Sequence, residues 1–581
     1  MFGKVLIANR GEIAVRIVRT LREMSIPSVV AFSDADRDAL FVLEADEAHY
    51  LGPAAATASY LNVKALLEVA TRSGAQAVHP GYGFLAENPA FADAVQAAGL
   101  VFIGPSSRAL RTMGDKVAAR RAVSALGVPI IPGSAGPVGS LDEARRIGRE
   151  IGFPLAVKAA GGGGGRGIRI VWDERELADS LEGARREAEA YFKNPDMYLE
   201  RYFPEPRHVE VQVLGDHHGC LVHLGERDCS VQRRHQKLIE ESPSPAVDRD
   251  LRARMGEMAL RAAASVDYSS AGTVEFLLAP DGQFYFLEMN TRIQVEHPVT
   301  EWVTGVDLIR EMVLAAAGEH ISVTQSVEDL VGHSIEVRIN AEDPSNGFQP
   351  TPATISRYRE PGGPGTRVDT GVYAGFTIPG DYDSLIGKLI CWAPDREAVR
   401  RRILRALHEF EIEGPRTTIP FHQAALEHPI FAAGDATTAF LRDHGKEIED
   451  SMPPVNAGEA TAGETVRGDP RSFEVEVDRR VYRVRVSEIQ SRTMPGKKQR
   501  EPRSRAQSGS HGAELMSPMH GTVIDLKKHV GDTVQAGEPV LLIEAMKMEN
   551  EIRAHRPGIL KDILVKPGDT VETDQPLARI E

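Results

Sequence analysis

Glu544-Ala-Met-Lys-Met-Glu-Asn550 lies near the C-terminus, between the two copies of a sequence repeat. Residues 521–544 align without a gap with residues 558–581, at an offset of 37 residues, and each copy contains Gly-Asp-Thr-Val followed by a proline. Short alternating apolar runs broken by glycine, aspartate and proline are typical of strands and turns. The repeat therefore predicts a small all-β sandwich with pseudo-twofold symmetry, and it places Lys547 in the hairpin that joins the copies.

The sequence around Lys547 resembles the attachment motif of the biotinyl (biotin carboxyl carrier) domain, in which methionines flank the lysine. This resemblance implies that a biotin protein ligase attaches biotin to Lys547. A lone exposed lysine is normally an ordinary turn residue, but the centred repeat and the Met-Lys-Met sequence favour a carrier. The nearest alternative is the lipoyl domain, which has the same fold and usually flanks its lysine with aspartate and alanine.

The composition is that of an acidic chain with several domains, since 581 residues carry a formal net charge of −15. This charge argues against nucleic acid or an anionic membrane as the main partner. Three cysteines without a CxxC pair indicate neither a disulfide framework nor a zinc site. The chain begins with a strand pattern and lacks an apolar run of about 18 residues, so we expect a cytoplasmic protein.

Near the N-terminus, short apolar runs alternate with helical patterns. The run 4–8 leads through Asn9-Arg-Gly-Glu12 into a helical pattern, and a second run covers residues 28–32. This rhythm predicts a parallel sheet with functional loops at the strand ends. A dinucleotide site is not predicted, because the first turn lacks GxGxxG. The stretch 79–85, HPGYGFL, is either a functional loop or a plain turn.

Five consecutive glycines, Gly161–Gly165, stand between two predicted strands. A P-loop would show GK[ST] and lead into a helix, and neither feature is present. Consecutive glycines let the backbone approach phosphate oxygens and offer N–H donors. A flexible linker is the alternative, but Lys158 before the glycines and Arg166 after them favour a hairpin that covers phosphates.

Residues 1 to about 445 resemble biotin carboxylase of the ATP-grasp superfamily. The resemblance is carried by long sequence motifs in the same order: IANRGEIAVRI, HPGYGFLAEN, VKAAGGGGGRG, ERDCSVQRRHQK and EMNTRIQVEHPVTE. With the C-terminal repeat, this implies a multidomain α/β (α+β) fold. The implied domains are a Rossmann-like domain at 1–115, an ATP-grasp domain at 116–330 with a lid at about 131–203, a biotin carboxylase C-terminal domain at 331–446, a linker at 447–511 with a β-hairpin at 472–487, and the biotinyl carrier at 512–581.

Polar residues alternate along 288–296: Glu288, Asn290, Arg292, Gln294 and Glu296. In an extended chain all five project to one face. The apolar run Phe284–Leu287 leads into them, which indicates a buried strand that opens into a cleft. Glu275, on the neighbouring predicted strand, adds another carboxylate. Mg²⁺ (or Mn²⁺) prefers hard oxygen ligands, and Glu275, Glu288 and Asn290 match the metal positions of the family.

The resemblance implies that ATP and bicarbonate form carboxyphosphate, which then carboxylates biotin. In the implied roles Glu296 is the base, Arg292 clamps the anion, and Arg338 stabilises the biotin enolate. Lys237 and the Val295 backbone match further bicarbonate contacts. The residues implied on the ATP side are Lys116, Lys158, Gly164, Gly165, Glu200, Tyr202, Phe203, His208, Gln232 and His235. Glu226 and Glu336 receive no role, because a structural ion pair is an equally good interpretation.

The linker has three parts. Residues 450–469 lack apolar periodicity and are predicted to be disordered. Residues 473–486 alternate and predict a hairpin around Asp478 and Arg479, which should dock elsewhere because an isolated hairpin is marginal in water. The basic stretch 491–511 is predicted to be a solvated tether, whose span of about 25 Å would let Lys547 reach more than one active site.

Together these features predict a ligase, the α subunit of a biotin-dependent acyl-CoA carboxylase of fatty acid metabolism. It would pass carboxybiotin to a separate carboxyltransferase β subunit, which uses an acetyl- or propionyl-type acyl-CoA. We expect a homo-oligomer within a larger hetero-oligomer, without nucleic acid or membrane. The alternatives are the biotin carboxylase subunit of a pyruvate carboxylase-type complex, a non-catalytic biotin carrier, and an ATP-grasp ligase fused to a lipoyl-type carrier.

Overall fold

The computed structural model describes most of the chain: residues 1–134, 136–159, 168–192, 196–234, 236–326, 329–453, 466–467, 471–477, 480–486, 489–490, 513–518, 521–545, 548–571 and 575–581. The chain divides into two compact units, one formed by residues 1–452 and 515–581 and the other by residues 453–514. No described helix is long and apolar enough to cross a membrane.

The N-terminal region is the predicted parallel sheet with helices around it. Its five strands lie in the order Glu47–Gly52, Ser28–Ser33, Val5–Ile7, Ala77–His79 and Val101–Phe102, and every pairing is parallel. The helices are Gly11–Glu23, Leu40–Glu44, Val63–Ser73, Pro89–Ala97 and Ser107–Gly114, with short 3-10 turns at Asp34–Asp36 and Ala56–Ala58. Strand residues without exposed surface, such as Leu6 and Val29, form its core.

The largest sheet is antiparallel and crosses the predicted boundary between the ATP-grasp and C-terminal domains. Its eight strands lie in the order Phe284–Asn290, Ser270–Leu278, Arg207–Gly215, Leu221–Arg233, Gln236–Ser242, His333–Asn340, Leu385–Ala393 and Thr366–Thr370. Strands from both predicted domains therefore share one hydrogen-bonded sheet, and the domain boundaries themselves stay predictions.

Helices cover this sheet and fill the C-terminal region: Lys116–Ser124, Arg249–Ala264, His297–Thr304, Leu308–Ala316, Arg396–Glu409, Ile419–Glu427, Pro429–Ala433 and Phe440–Ser451. Two short strand pairs form separate sheets, Glu342–Asp343 with Gln349–Pro350 and Arg357–Arg359 with Glu411–Glu413, and a 3-10 turn covers Pro344–Asn346. The buried faces of the helices supply apolar side chains, including Val399, Ile403 and Leu407, to a core shared with the strands.

The segment predicted to be a lid has its own sheet and its own apolar core. Its strands lie in the order Ile168–Val171, Leu155–Ala159 and Met197–Arg201, with antiparallel pairing. The helices Leu141–Ile151 and Leu177–Phe192 and the 3-10 turn Glu174–Glu176 complete it. Leu155, Val157 and Leu199 belong to its buried cluster. The glycine run between the first two strands lies outside the described residues.

The C-terminal repeat folds as two four-stranded sheets, which confirms the predicted sandwich. One sheet has the order Glu514–Met516, Pro576–Ile580, Gly558–Ile563 and Thr533–Val534, and the other Met548–Arg553, Pro539–Ala545, Gly521–Leu526 and Thr570–Val571. Each sheet contains one short strand from the opposite copy of the repeat. The exchange is symmetric, since Gly521 pairs with Val571 and Gly558 with Val534.

The same turn occurs in both copies of the repeat. The Asp532 carboxylate accepts the backbone N–H of His529 at 2.8 Å, and the Asp569 carboxylate accepts that of Lys566 at 3.0 Å. The glycines before these aspartates have φ of 98° and 94°, a conformation that side chains disfavour. The shared Gly-Asp therefore has a structural reason in each copy.

In the unit 453–514, two strand pairs lie within the described residues: Arg471–Val477 with Arg480–Val486, and Val466–Arg467 with Ile489–Gln490. The first pair coincides with the predicted hairpin, although its turn residues Asp478 and Arg479 lie outside the described residues. The predicted tether also lies outside them. Of the stretch 450–469 predicted to be disordered, residues 450–451 end the helix Phe440–Ser451 and residues 466–467 form a strand, so the prediction is wrong for these residues.

A buried ion pair joins two strands of the large sheet to the helix Arg396–Glu409. Arg396 donates to both Glu241 oxygens at 2.7 and 3.0 Å, and His333 Nε2 lies 2.7 Å from Glu241 Oε2. Burial alone would raise the pKa of Glu241, but His333 and Arg396 more than offset it and lower the pKa to about 2. The pair therefore stabilises the fold above the carboxyl's ordinary pKa, and that contribution disappears as the pH falls towards 2.

We expect Glu241→Gln to lower the free energy of unfolding by about 3 kcal/mol at pH 7, because the variant leaves Arg396 without its partner. The difference from wild type should shrink steadily between pH 5 and pH 2, as calorimetric unfolding at several pH values would show. Glu447→Gln, at an exposed carboxylate that contacts two histidines, is the matched control and should unfold like wild type. A Glu241→Gln deficit that stays constant down to pH 2 would contradict this account.

Candidate active site

Charged side chains from neighbouring strands of the large sheet converge at the end of the strand Phe284–Asn290. Glu275 lies directly opposite Glu288 on one side and opposite Glu210 on the other. Lys237 is at the start of the strand Gln236–Ser242, and Arg338 lies on the next strand, His333–Asn340. The sheet register therefore brings residues far apart in sequence to one place.

The segment that follows Asn290 differs from the extended chain predicted for residues 288–296. The strand ends at Asn290, where the next N–H, that of Thr291, donates to Glu87 Oε1 at 3.1 Å instead of continuing the sheet. A helix begins at His297, with Pro298 in its first turn, where a proline is well tolerated. Residues 291–296 are thus a loop, and its side chains still reach the same cluster.

Lys237 is the centre of this cluster. Its ammonium donates to Glu210 at 2.5 Å, Glu296 at 2.6 Å, Glu275 at 3.1 Å and Gln294 at 3.4 Å. Burial opposes the charge, but these three carboxylates raise the pKa of Lys237 well above its usual value. Lys237 is therefore a permanently charged cation that gathers the predicted base and a predicted metal ligand.

Arg338 forms the other side of the cluster. Its guanidinium donates to Glu240 at 2.6 Å through Nε and to Glu296 at 3.0 Å through Nη2. Burial would raise the pKa of Glu296, yet Lys237 and Arg338 together hold it far below the ordinary range. For Glu240 burial dominates, and its pKa rises to about 7 despite Arg338. Glu296 is consequently ionised at neutral pH.

The predicted anion clamp, Arg292, is held by three acceptors. Its Nε donates to Glu87 at 2.9 Å, its Nη2 to Asn290 Oδ1 at 2.9 Å, and its Nη1 to the Ile293 carbonyl at 3.2 Å. A guanidinium has five N–H groups, so two hydrogens have no acceptor among the described residues and can bind an anion. These contacts fix the direction in which the fork points.

Oxygen atoms suited to a divalent cation lie beside Lys237. Asn290 donates its amide to Glu275 Oε1 at 2.8 Å, while the Glu288 side chain is open to solvent. His208 Nε2 lies 2.9 Å from Glu275 Oε2. Two facing carboxylates and an amide oxygen are the donor set that Mg²⁺ accepts, so these residues fit the metal predicted from the sequence.

The residues predicted for ATP binding lie on the lid sheet and along the neighbouring strands. Lys158 and Arg120 both donate to the Glu200 carboxylate. The Phe203 ring stacks on Tyr285 with 5.2 Å between centroids, and the Tyr202 ring meets Trp172 edge-on at 6.2 Å.

Gln232 is opposite Lys237 in the sheet register. Lys116 begins the helix Lys116–Ser124 and is exposed. Gly164, Gly165 and His235 lie outside the described residues.

Several members of the cluster were not predicted from the sequence. Glu210 and Arg227 have no exposed surface, and Arg227 donates to Glu210 at 2.6 Å and to Gln212 at 2.7 Å. Glu210 alternates with His208 along the chain, and this alternation is the one signal in the sequence that could have pointed to it. Glu87 stands in HPGYGFLAEN, a stretch that resembles biotin carboxylase, but it was assigned no role. Glu240 gave no signal in the sequence, because only the folded chain brings it to Arg338.

The two glutamates left without a role differ from each other. Glu226 makes a bidentate pair with Arg252, at 2.6 and 2.8 Å, which is a structural ion pair. Glu336 is fully buried, and neither carboxylate oxygen has a hydrogen-bond partner among the described residues. Burial raises the pKa of Glu336 well above its usual value.

The predicted carrier lysine, Lys547, lies outside the described residues. The strands on either side of it, Pro539–Ala545 and Met548–Arg553, pair in an antiparallel manner, and Ala545 is opposite Met548. The carrier core beneath them is closed by apolar residues of both copies, among them Val534 and Val571. The flanking chain is therefore held in a fixed register.

Four segments of the chain match described protein families. Residues 1–110 match "Biotin carboxylase, N-terminal domain", and residues 336–443 match "Biotin carboxylase C-terminal domain". Between them, residues 115–324 match "Carbamoyl-phosphate synthase L chain, ATP binding domain". Residues 513–580 match "Biotin-requiring enzyme".

Two relatives and one solved structure show the range of similar proteins. The chain is 49% identical over 452 residues to a pyruvate carboxylase subunit of Methanothermobacter thermautotrophicus, over 78% of this chain and 92% of that protein. It is 37% identical over 681 residues to the propionyl-CoA carboxylase alpha chain of Ruegeria pomeroyi, over 100% of both. The biotin carboxylase domain dimer of Hydrogenobacter thermophilus 2-oxoglutarate carboxylase, solved with MgADP, ADP and bicarbonate, superposes with a TM-score of 0.70 at 46% identity, over 77% of this chain and 99% of that one.

Proposed function

Because the chain belongs to the biotin carboxylase family and ends in a domain of the biotin-requiring enzymes, we propose that it uses ATP and bicarbonate to carboxylate biotin attached at Lys547. It then supplies the carboxyl group to a separate carboxyltransferase subunit. The observation that carries the proposal is the buried cluster of Lys237, Glu296 and Arg338. One ionised carboxylate between two cations provides a base and an anion site together.

Glu296 is the base in this proposal. A base must be free of its proton, and the low pKa of Glu296 meets that requirement. Lys237 and Arg338 also weaken its basicity, because each stabilises the ionised form. A bicarbonate ion bound beside Lys237 places a second negative charge near Glu296, and a like charge raises a carboxyl pKa. Binding of the substrate would thus strengthen the base at the moment when it is needed.

Bicarbonate binds beside Lys237, the two free hydrogens of Arg292 and the backbone of Val295. Glu87 and Asn290 orient Arg292 towards this place. Glu275, Glu288 and Asn290 hold Mg²⁺ or Mn²⁺, which would neutralise charge on the transferred phosphate. Arg338 stabilises the negative charge that develops on the biotin ureido oxygen, as a preorganised cation can. Glu240 accepts from Nε of Arg338 and also lies 2.5 Å from Nη2, which donates to Glu296, so Nη1 is the nitrogen left for that oxygen among the described contacts.

ATP binds between the lid and the large sheet in this proposal. Lys158 and Lys116 supply positive charge, and Glu200, Tyr202, Phe203, His208 and Gln232 line the nucleotide. Gly164, Gly165 and His235 keep the roles predicted from the sequence. The complete set of charged residues disfavours the alternative of a non-catalytic biotin carrier, because a degenerate site would have no reason to retain buried, mutually neutralising charges.

We propose an acyl-CoA as the final acceptor. The propionyl-CoA carboxylase alpha chain aligns with the whole of this chain, including the carrier. The pyruvate carboxylase subunit has the higher identity but aligns with only 78% of the chain. Its similarity therefore supports the function of the carboxylase part and not the choice of acceptor. That higher identity keeps pyruvate as the second candidate. The further partners proposed are a biotin protein ligase and a second copy of the chain, in the cytoplasm.

Co-purification with the carboxyltransferase partner tests the acceptor. We expect the pair to carboxylate propionyl-CoA or acetyl-CoA in the presence of ATP and bicarbonate, with kcat/KM at least about tenfold above that for pyruvate, since one well-filled pocket discriminates by that factor. The measurement is incorporation of labelled bicarbonate into each acceptor. A preference for pyruvate would reject the acyl-CoA proposal and leave the biotin carboxylase unaffected.

A further inference from the structure

We propose that Lys388 is a positioning residue, which holds the backbone between Val295 and Glu296 in the shape that bicarbonate requires. The proposal rests on the proposed function, which assigns bicarbonate to this segment. Lys388 lies on the strand Leu385–Ala393, opposite Arg338. Its side chain has no exposed surface, and a buried ammonium is unfavourable unless its donors are satisfied.

The contacts of Lys388 point to the bicarbonate segment. Its ammonium donates to the Val295 carbonyl at 2.8 Å, pairs with Glu12 at 3.1 Å, and lies 3.9 Å from Asp369. Burial opposes the charge, but Glu12, Glu336 and Asp369 raise the pKa of Lys388. The lysine therefore stays charged, and its hydrogen bond to Val295 has the strength of a charge-assisted bond.

The Val295 carbonyl lies in a stretch without regular secondary structure. The strand before it ends at Asn290, and the helix after it begins at His297. Within that stretch, His297 Nδ1 lies 2.7 Å from the Gln294 carbonyl, and Lys388 bonds the next carbonyl along the chain. The peptide that joins Val295 to Glu296 is thus fixed by Lys388, and with it the direction in which the Glu296 side chain leaves the backbone.

Lys388 also ties this segment to the N-terminal domain. Glu12, in the first turn of the helix Gly11–Glu23, accepts a hydrogen bond from the Tyr82 hydroxyl. Glu12 and Tyr82 both line a cavity of about 100 Å³. Contacts run from Tyr82 to Glu12, from Glu12 to Lys388, and from Lys388 to Val295. Lys388 therefore connects the wall of that cavity to the bicarbonate segment.

The test compares Lys388→Met combined with Glu12→Gln against Glu12→Gln alone. The double variant removes the ammonium together with its nearest counterion, so Glu12 is not left charged and unpaired. We expect its KM for bicarbonate to rise about tenfold to a hundredfold, the effect of losing a hydrogen bond to a charged group, while its KM for ATP stays within about twofold. Glu12→Gln alone keeps the bond to Val295 and should stay within about threefold for both substrates.

The readout is bicarbonate- and ATP-dependent ATP hydrolysis by the full chain with free biotin. Equal increases in both KM values, or no increase in either, would show that Lys388 is only structural and would overturn the proposal. If the double variant does not fold, Lys388→Gln with Glu12→Gln removes the same charge while keeping a polar side chain. The KM for bicarbonate should again rise while the KM for ATP stays nearly unchanged. Wild-type protein without bicarbonate-dependent hydrolysis would reject the proposed function itself, which is a different outcome.

Discussion

Lys547→Ala should abolish carboxylation of the acyl-CoA acceptor and leave carboxylation of free biotin at the wild-type rate. The variant removes the only proposed attachment point, so no carboxyl group can travel to the carboxyltransferase. The cluster around Lys237 and Glu296 does not depend on the carrier, because its contacts come from residues 87–338. The effect on the coupled reaction is complete loss, the largest expected of any variant.

Two measurements check the Lys547 prediction. Intact mass should show one biotin on the wild-type chain and none on the variant, and a mass increase that fits lipoate would support the lipoyl alternative. Lys561→Ala is the matched control, since Lys561 is an exposed lysine on a strand of the same domain, and it should retain both activities. Loss of free-biotin carboxylation in Lys547→Ala would contradict a division into separate carboxylase and carrier parts.

Glu296→Gln should lower kcat for bicarbonate-dependent ATP hydrolysis by about a hundredfold to ten-thousandfold, the range over which a positioned general base acts. The amide occupies the same space but cannot accept the proton of bicarbonate. It also removes a carboxylate that neutralises Lys237, so Lys237 should bind bicarbonate at least as tightly, and the KM for bicarbonate should not rise. A lower kcat with unchanged or lower KM therefore separates loss of the base from loss of binding.

The matched control for the base is Glu342→Gln. Glu342 is also buried, and it accepts hydrogen bonds from Asn340 and Ser384. Burial raises its pKa, and it lies outside the cluster around Lys237, so kcat should stay within about twofold of wild type. Full activity of Glu296→Gln, with the control behaving as expected, would reject Glu296 as the base and leave the other cluster residues to be tested in its place.

The sequence predicted the parts of the fold that local pattern and repetition determine. The offset between residues 521–544 and 558–581 was enough to predict a symmetric sandwich, because the strands and the Gly-Asp turns recur at the same spacing. It did not predict that short strands cross between the sheets. That exchange depends on the pairing of one copy with the other, which the pattern within either copy does not record.

The active site shows the same limit. The alternation after Phe284 indicated residues that do meet in the cluster, but the prediction assumed an extended chain. The structure has a loop after Asn290, where the N–H of Thr291 donates to Glu87 instead of continuing the sheet. Glu240 and Lys388 stand in sequence without a recognised pattern, and their contacts with Arg338 and Val295 give them importance. Glu87 stands in a stretch that resembles biotin carboxylase, but only its contact with Arg292 indicates a role. Sheet register and loop conformation create these contacts, and they cannot be predicted from the local pattern of a single sequence.

One measurement tests the central claim most directly: transfer of labelled bicarbonate onto the purified biotinylated chain in the presence of ATP and Mg²⁺. We predict one acid-labile label per chain, found on the peptide that contains Lys547, absent from Lys547→Ala and strongly slowed in Glu296→Gln. A biotinylated wild-type chain that hydrolyses ATP without taking up label, or a label that persists in Lys547→Ala, would contradict the account of this protein as a carboxylase that loads its own carrier.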